Sequence, residues 1–257
     1  MLFRSNRTPY SAFPNTYDPD ILTNREIGAK SRWMDGKLQV NVTYFDMVWE
    51  DYQIEVIDPS FRDCDDGQIP EIDFCSQPFQ VVVGNAGDAE QSGWEIDVKA
   101  RPNSNLDMGV NMLFLEAETS ETFEVQKVVE SGTRLPNVPE FKFNAYAQYT
   151  WQTEMFDGAE MYARAQYSYQ DESTNTLEPF TEDELTPRRE QDAYGIADVK
   201  FGITTEQWEF QAFVNNLNDE RAEIYNNVYF NNTFWGIDRV TTNRPREYGV
   251  RFSYRWN

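Results

Sequence analysis

The chain has 257 residues, a formal net charge of −22 and a mean hydropathy of −0.70. No stretch is apolar enough to form a transmembrane helix, so the composition excludes a helical membrane protein. The sequence contains no histidine, which removes Ser-His-Asp and Cys-His catalysis and the commonest metal ligand. The acidic balance also argues against nucleic acid as a partner, because binding a phosphate backbone requires clustered Lys and Arg.

A regular alternation of apolar and polar residues predicts about nine β-strands, each with an apolar and a polar face. The first runs from Leu22 to Trp33, and the second begins at Lys37. The others are marked by apolar residues at every second position within 94–100, 106–112, 141–151, 161–169, 199–203, 208–214 and 248–256.

In the second strand the apolar face switches near Phe45, Met47 and Trp49. A β-bulge would produce this switch, and so would a strand that leaves a bilayer. The pattern does not separate the two explanations.

The last strand carries an aromatic stripe, with Tyr248, Phe252, Tyr254 and Trp256 on the same face as Val250. A soluble sheet would bury such a stripe under a second layer. An outer-membrane barrel would turn it toward lipid and keep the charged face inside.

The lengths of the connectors favour the barrel. Short turns follow the first, third, fifth and seventh strands, at 34–36, at 101–105, around 157–158 and at 204–207. The other connectors are long, polar and irregular, covering roughly 50–79, 116–138, 170–192 and 216–244. Short periplasmic turns and long extracellular loops are typical of outer-membrane barrels.

The placement of tryptophan also favours a membrane barrel. Trp33, Trp151, Trp208 and Trp256 lie on the apolar face at the end with the short turns, as expected of an aromatic girdle at a membrane interface. In a soluble β-sandwich we would expect Trp near the strand centres. Because bacterial single-chain barrels have an even number of strands, nine strands indicate either a miscounted strand or an incomplete barrel.

The polar loops offer little chemistry. Cys64 and Cys75 both lie within one of them, in the stretch bounded by Pro59 and Pro78. A disulfide there would stabilise the fold by roughly 3 kcal/mol; unpaired thiols are the alternative. Asp63, Asp65 and Asp66 precede a glycine, but the spacing lacks the other ligands of a calcium loop. Acidic clusters such as 182–184 are typical of a solvated loop, so we expect no metal and no catalytic site.

Six segments, in this order, resemble the barrel of TonB-dependent outer-membrane receptors: NREIGAKSRW, GKLQVNVTYFDMVWEDYQIEV, NAGDAEQSGWEIDVKARP, LPNVPEFKFNAYAQYTW, FVNNLNDERA and RPREYGVRFSYRWN. The family's barrel has about 22 strands. The resemblance therefore implies an all-β, antiparallel transmembrane barrel segment made of the last nine strands. Residues 1–257 would form one C-terminal segment, with 1–21 as an extracellular loop or partial strand and 22–257 as the strands and their connectors.

The resemblance also implies partners. The family's N-terminal plug domain and TonB box have no counterpart here, and no signal peptide follows Met1, so the chain is expected to be the tail of a longer receptor. That receptor would contact outer-membrane lipid, the missing barrel strands and plug, the TonB–ExbB–ExbD complex through that plug, and the barrel-assembly machinery. The family usually ends on an aromatic residue, whereas Asn257 follows Trp256 here.

The resemblance implies active uptake of a scarce small molecule, with an iron–siderophore complex preferred and carbohydrate or cobalamin as alternatives. Aromatic faces beside amide groups suit such ligands. The candidates in the last long loop are Tyr225, Tyr229, Phe230, Asn231, Asn232, Phe234 and Trp235. A strand rim with an outer aromatic girdle is the alternative explanation of these residues.

Two further classes of protein remain open at this stage. A self-contained small porin or outer-membrane enzyme requires an even number of strands and would show heat-modifiable migration by itself. A soluble β-sandwich would stay monomeric without detergent.

The assignment of faces predicts opposite behaviour for neighbouring residues of the last strand. Phe252→Arg should cost about 2 to 4 kcal/mol of folding free energy if the residue lies near the bilayer midplane, whereas Ser253→Arg should be much milder. Folding titrations into lipid vesicles measure both changes. Equal effects would contradict the assignment.

Overall fold

The structure, a computed structural model, describes residues 3–4, 16–57, 81–85, 87–124, 128–156, 158–177, 189–227 and 239–256. Within these ranges all regular secondary structure is β. The strands, in chain order, are β1 (Phe3–Arg4), β2 (Thr16–Tyr17), β3 (Ile21–Trp33), β4 (Leu38–Glu50), β5 (Gln53–Ile57), β6 (Val81–Asn85), β7 (Ala89–Ala100), β8 (Leu106–Thr119), β9 (Phe123–Glu124), β10 (Val128–Val129), β11 (Phe141–Gln152), β12 (Glu160–Gln170), β13 (Ser173–Thr174), β14 (Glu190–Gln191), β15 (Tyr194–Thr204), β16 (Trp208–Asn215), β17 (Glu223–Asn227), β18 (Arg239–Thr242) and β19 (Glu247–Tyr254).

The long strands form one nine-stranded sheet in the order β3-β4-β7-β8-β11-β12-β15-β16-β19. Each strand pairs with the long strands before and after it in the chain, which makes the sheet an antiparallel meander with β3 and β19 at its two edges. The predicted all-β class and the predicted nine strands are confirmed. In the part of the chain that the structure describes, no helix is both long and apolar enough to span a membrane.

Register aligns the apolar positions into continuous rows, because residues directly opposite each other in a sheet lie on the same face. One row crosses neighbouring strands through Leu106, Tyr149, Ala163, Phe201, Ala212 and Val250. The adjacent row on the other face contains Asp107, Gln148, Arg164, Lys200, Phe213 and Gly249. The sheet therefore has an apolar face and a mainly polar face.

The short connectors owe their tightness to particular residues. Between β3 and β4, Met34, Asp35 and Gly36 have φ values of 55°, 56° and 85°, a left-handed conformation in which glycine carries the least strain. Between β7 and β8, the Asn103 side chain accepts hydrogen bonds from the backbone N–H groups of Asn105 and Leu106, both at 2.9 Å. Local side-chain bonds of this kind stabilise turns.

The long connectors are more regular than the sequence suggests. Each contains short antiparallel strands, paired as β5–β6, β9–β10, β13–β14 and β17–β18. The expectation of wholly irregular loops is wrong for these residues. Pairs of two to five residues are too short for an alternating pattern to stand out in the sequence.

Strand β4 continues unbroken through the point at which its apolar face switches. Phe45 is only 6% exposed although it lies on the polar face. A Cβ on Gly93 would lie 2.7 Å from the Phe45 ring, so the absence of a side chain at Gly93 makes room for this ring. Packing against Gly93 on the neighbouring strand β7 therefore explains why an apolar residue lies on the polar face at Phe45. Its burial requires neither lipid nor a second layer.

Three aromatic rings on the mainly polar face lie over glycines directly opposite them. Tyr146 covers Gly109, Tyr162 covers Gly202 and Phe213 covers Gly249, and a Cβ on any of these glycines would overlap the ring. A glycine within a strand allows such a close approach, and the ring replaces the packing that the glycine lacks.

Contact clustering divides the chain into two compact units. The first comprises residues 1–25, 46–91 and 117–135, and the second comprises residues 26–45, 92–116 and 136–257. The second unit contains β11, β12, β15, β16 and β19 in full, together with the parts of β3, β4, β7 and β8 next to the short connectors.

The ring-over-glycine packing predicts that Gly202→Ala destabilises the sheet by about 1 to 3 kcal/mol, because the new methyl group would overlap the Tyr162 ring. In a Tyr162→Ala background the same substitution should cost much less. A double-mutant cycle measured by urea unfolding separates this coupling from the loss of the tyrosine itself. Additive effects would show that the ring and the glycine do not interact.

Candidate functional site

A ladder of amide and carboxylate groups crosses the polar face of the second unit. Asn41 on β4 donates to Asp97 Oδ1 on β7 at 3.1 Å, and Asn111 on β8 donates to Asp97 Oδ2 at 2.5 Å. Two strands thus use one carboxylate as their shared acceptor. Hydrogen bonds to an ionised group are among the stronger ones in proteins, so Asp97 ties the three strands together. Lys99 approaches the same carboxylate only to 4.0 Å and adds little.

The ladder continues across the next pair of strands and borders a cavity. Asn144 on β11 lies opposite Asn111 and donates to Ser168 Oγ on β12 at 2.6 Å. The cavity has a volume of about 540 Å³, and its lining includes Lys142 and Tyr194 besides the ladder residues. Amide, hydroxyl and phenol groups suit hydrogen bonding to a polar solute or to a polar protein surface. They provide no arrangement of nucleophile and base.

A second polar cluster surrounds Asp107, near the end of the sheet that carries the short connectors. Asp107 accepts from Arg101 Nε at 2.5 Å and from the Tyr146 hydroxyl at 2.8 Å. The Tyr146 ring also lies 4.1 Å from the Arg164 guanidinium carbon, a cation–π distance. Nearby, Gln211 donates to the Tyr162 hydroxyl at 2.5 Å.

The asparagines of the FVNNLNDERA segment hold strand ends together. Asn216 is 3% exposed, and its amide donates to the backbone oxygens of Glu220 and Arg244 at 2.9 and 3.0 Å. Asn218 bridges to β15 by accepting from Ala197 N–H at 3.0 Å and donating to the Gly195 oxygen at 2.8 Å. The sequence marks this segment as a family motif, whereas its structural role depends on contacts with distant residues.

Of the predicted ligand-binding residues, the structure describes Tyr225. It lies on β17 opposite Thr241, is 38% exposed and follows a shift in the β17–β18 register. Tyr229, Phe230, Asn231, Asn232, Phe234 and Trp235 lie outside the described residues. Their grouping with Tyr225 stays a prediction.

The four girdle tryptophans lie at or beyond strand ends. Trp33 is the last residue of β3, Trp208 the first of β16 and Trp151 the second-last of β11. Trp256 lies two residues beyond the end of β19 and is 89% exposed, with its ring 4.9 Å from that of Tyr254. All four belong to the end of the sheet with the short connectors, and their role as a membrane girdle stays a prediction.

Sequence reasoning missed an aromatic cluster on the apolar face near the long-connector end. Phe114 and Phe141 stack with ring centroids 4.7 Å apart. Phe143 lies 5.8 and 5.7 Å from the rings of Tyr167 and Tyr169. The residues are conspicuous in their separate strands, but only the register brings them together.

The first unit contains its own polar cluster. Trp49 Nε1 donates to Asp20 at 2.8 Å, and the Trp49 and Tyr52 rings lie 4.5 Å apart. Burial raises the pKa of the Tyr52 phenol above its usual value. Gln53 also donates to Asp20, at 3.1 Å, so the arrangement connects chain segments and has no evident reactive group.

The remaining polar-loop candidates fall outside the described residues. They are Cys64, Cys75, the acidic residues at 63–66 and those at 182–184. Within the described ranges, His, Cys, Asp and Glu side chains form no group that could hold a metal ion.

An antiparallel meander with one apolar face and one mainly polar face is the construction of a transmembrane β-barrel wall. A family model described as "TonB dependent receptor-like, beta-barrel" matches residues 3–217. The chain belongs to this family, and the resemblance noted from its sequence is confirmed. It is an outer-membrane protein of a Gram-negative bacterium, and the family and fold are those of transport receptors rather than enzymes.

Solved structures show the same fold. The ferric yersiniabactin uptake receptor FyuA from Yersinia pestis has a TM-score of 0.67 at 17% identity, covering 92% of this chain and 30% of that one. The ferric preacinetobactin receptor BauA from Acinetobacter baumannii has a TM-score of 0.64 at 14% identity, covering 98% of this chain and 32% of that one. The closed form of the ferric-catecholate import receptor Fiu from E. coli K12 has a TM-score of 0.61 at 20% identity, covering 96% of this chain and 29% of that one. The chain thus spans about a third of the length of these receptors.

The amide ladder predicts that Asp97→Ala destabilises the protein by about 1 to 2 kcal/mol, because it leaves the Asn41 and Asn111 amides without their acceptor. Glu95 is the matched control, since it lies on the same face of β7 but is exposed. Glu95→Ala should change stability by less than about 0.5 kcal/mol. Denaturation of the full-length protein in detergent compares the two, and equal losses would contradict the role of the ladder.

Proposed function

We propose that the chain forms the last nine barrel strands of a TonB-dependent receptor that imports an iron–siderophore complex across the outer membrane. The observation that carries the proposal is the nine-stranded meander, which the family model and the likeness to ferric-siderophore receptors both support. Ferric ligands are named for the similar receptors. We extend this ligand class to the present chain on the basis of its family and fold.

The proposal assigns a direction to the sheet. The short connectors lie on the periplasmic side and the long connectors with their paired short strands lie outside the cell. Residues 1–21 form an extracellular loop or partial strand, and 22–257 form the strands and their connectors. The apolar face contacts lipid, with the girdle of Trp33, Trp151, Trp208 and Trp256 at the periplasmic interface.

The polar face then lines the barrel interior, where the amide ladder and its cavity meet a plug or a hydrated ligand path. A ligand too large for a porin must be moved actively, so the proposal includes coupling to the TonB–ExbB–ExbD complex through an N-terminal plug. Insertion of the receptor by the barrel-assembly machinery belongs to the same proposal.

The coding DNA immediately upstream of this chain gives the first test. We expect it to encode a signal sequence, a plug-like domain and further barrel strands. A stop codon directly upstream, with none of these, would refute the receptor segment and favour a small porin or another self-contained barrel.

Uptake by the full-length receptor tests the ligand class. We compare a strain that lacks the gene with the same strain complemented by it. The measurement is accumulation of radioactive iron supplied as catecholate and hydroxamate chelates, and of labelled cyanocobalamin and maltooligosaccharide. Gene-dependent accumulation of an iron chelate that is abolished by a proton uncoupler supports the proposal. Accumulation of cobalamin or sugar alone would reassign the ligand.

The ligand-binding prediction concerns Tyr225, whose ring lies on the outer β17–β18 pair. Tyr225→Ala should weaken binding of the transported chelate about tenfold, which corresponds to about 1.4 kcal/mol, through loss of an aromatic contact. Tyr254→Ala is the control, because this ring is 44% exposed and lies on β19 at the opposite end of the sheet. Fluorescence titration of outer-membrane vesicles measures both affinities, and equal changes would remove Tyr225 from the site.

A further inference from the structure

Two cations face each other on the polar face. Arg164 on β12 and Lys200 on β15 are directly opposite in register, and both are half-buried. Like charges at opposing positions of a sheet destabilise it. Such a pair is unexpected in a chain with a net charge of −22, in which a carboxylate is the commoner charged neighbour.

The acidic groups nearby are engaged elsewhere. Asp107 accepts from Arg101 and Tyr146, although it also attracts Arg164 at longer range. Asp198, on the same face of β15 as Lys200, accepts from the Asn216 N–H at 2.8 Å. Neither Arg164 nor Lys200 forms an ion pair with a described residue. The ion pairs that join Lys99 to Asp97, Arg101 to Asp107 and Arg221 to Asp219 involve other cations.

The Arg164 guanidinium is held in place before any partner arrives. It lies over the Tyr146 ring, the ring itself covers Gly109, and the Tyr146 hydroxyl is bonded to Asp107. This contact restrains the position of the guanidinium, whose N–H groups donate to no acceptor among the described residues. A planar, oriented guanidinium is suited to bidentate binding of a carboxylate, and an adjacent ammonium adds a point charge.

We propose that Arg164 and Lys200 form a docking site for one Asp or Glu side chain of the same receptor, from the chain that precedes this segment. The inference rests on the proposed function, in which that chain fills the barrel interior. Two observations identify the occupant. The site is complementary to a carboxylate, and the matched receptors are about three times as long as this chain, so the proposed receptor would include a large part that precedes it. Docking would replace the repulsion between the two cations with two charge-assisted contacts.

Carbodiimide cross-linking of the full-length receptor in outer-membrane vesicles tests the site. The reagent converts a carboxyl group into an O-acylisourea. The Lys200 amine then attacks the acyl carbon to form an amide bond, and the urea leaves with one carboxyl oxygen, so that only contacting groups are joined. Peptide mass spectrometry should show Lys200 joined to one Asp or Glu that precedes this segment. Arg164→Gln should lower the yield at least fivefold, and Arg164→Lys, which keeps the charge but not the planar fork, should restore only part of it.

The matched control is Arg251→Gln, which removes another cation from the polar face, on β19. It should leave the yield unchanged, with heat-modifiable migration confirming that each variant is folded. Equal losses from Arg164→Gln and Arg251→Gln would show that any positive charge on the polar face promotes the cross-link. That result would overturn the proposal of a specific site.

Three other results would also overturn it. The first is a Lys200 cross-link to a carboxylate within this chain, such as Asp198. The second is the absence of any cross-link at Lys200 while other lysines react. The third is acetylation of Lys200 instead of cross-linking when acetate is added, which would indicate a site for free anions. The cross-link is read without ligand or energised transport, so its failure is distinguishable from failure of the uptake experiment.

Discussion

Hydrogen bonding between neighbouring backbones is the constraint on which the rest of this structure depends. A bilayer offers no water to unpaired N–H and C=O groups, so each spanning strand must find its partners in the strands beside it. The meander from β3 to β19 meets this requirement with adjacent strands and short turns. Once the ladders are fixed, alternate residues must face opposite sides, and every assignment of an apolar or polar role depends on that geometry.

This constraint explains which features of the fold can be predicted from the sequence. The period of two is local, so Leu22–Trp33 is recognisable as a strand without its neighbours, and the structure begins β3 only one residue earlier. Short turns are also local, as the left-handed Met34, Asp35 and Gly36 illustrate. Phe45 is ambiguous in the sequence for the opposite reason, because its burial depends on the absence of a side chain at Gly93 on another strand.

The polar groups of the candidate site depend on register, which the sequence does not reveal. Asn41, Asp97 and Asn111 come from three strands and look like ordinary polar positions until the ladder brings them within hydrogen-bonding distance. The same holds for Arg164 and Lys200, which are 36 residues apart in the chain and opposite in the sheet. For the long connectors the composition indicates aromatic and amide groups suited to a ligand, but no periodicity indicates how Tyr225 is oriented.

Under the proposed function, the stability of this segment depends on the parts of the receptor that would lie against it. At the two edges of the sheet, β3 and β19 each have a long-strand partner on one side only, and unpaired backbone groups are costly in hydrocarbon. On the polar face, Arg164 and Lys200 repel each other unless an anion comes between them. Anything that binds the folded segment at an edge or at this pair stabilises it by mass action. Under the proposed function, the other strands of the receptor and a carboxylate in its interior would therefore contribute to the folding of these nine strands as well as to transport.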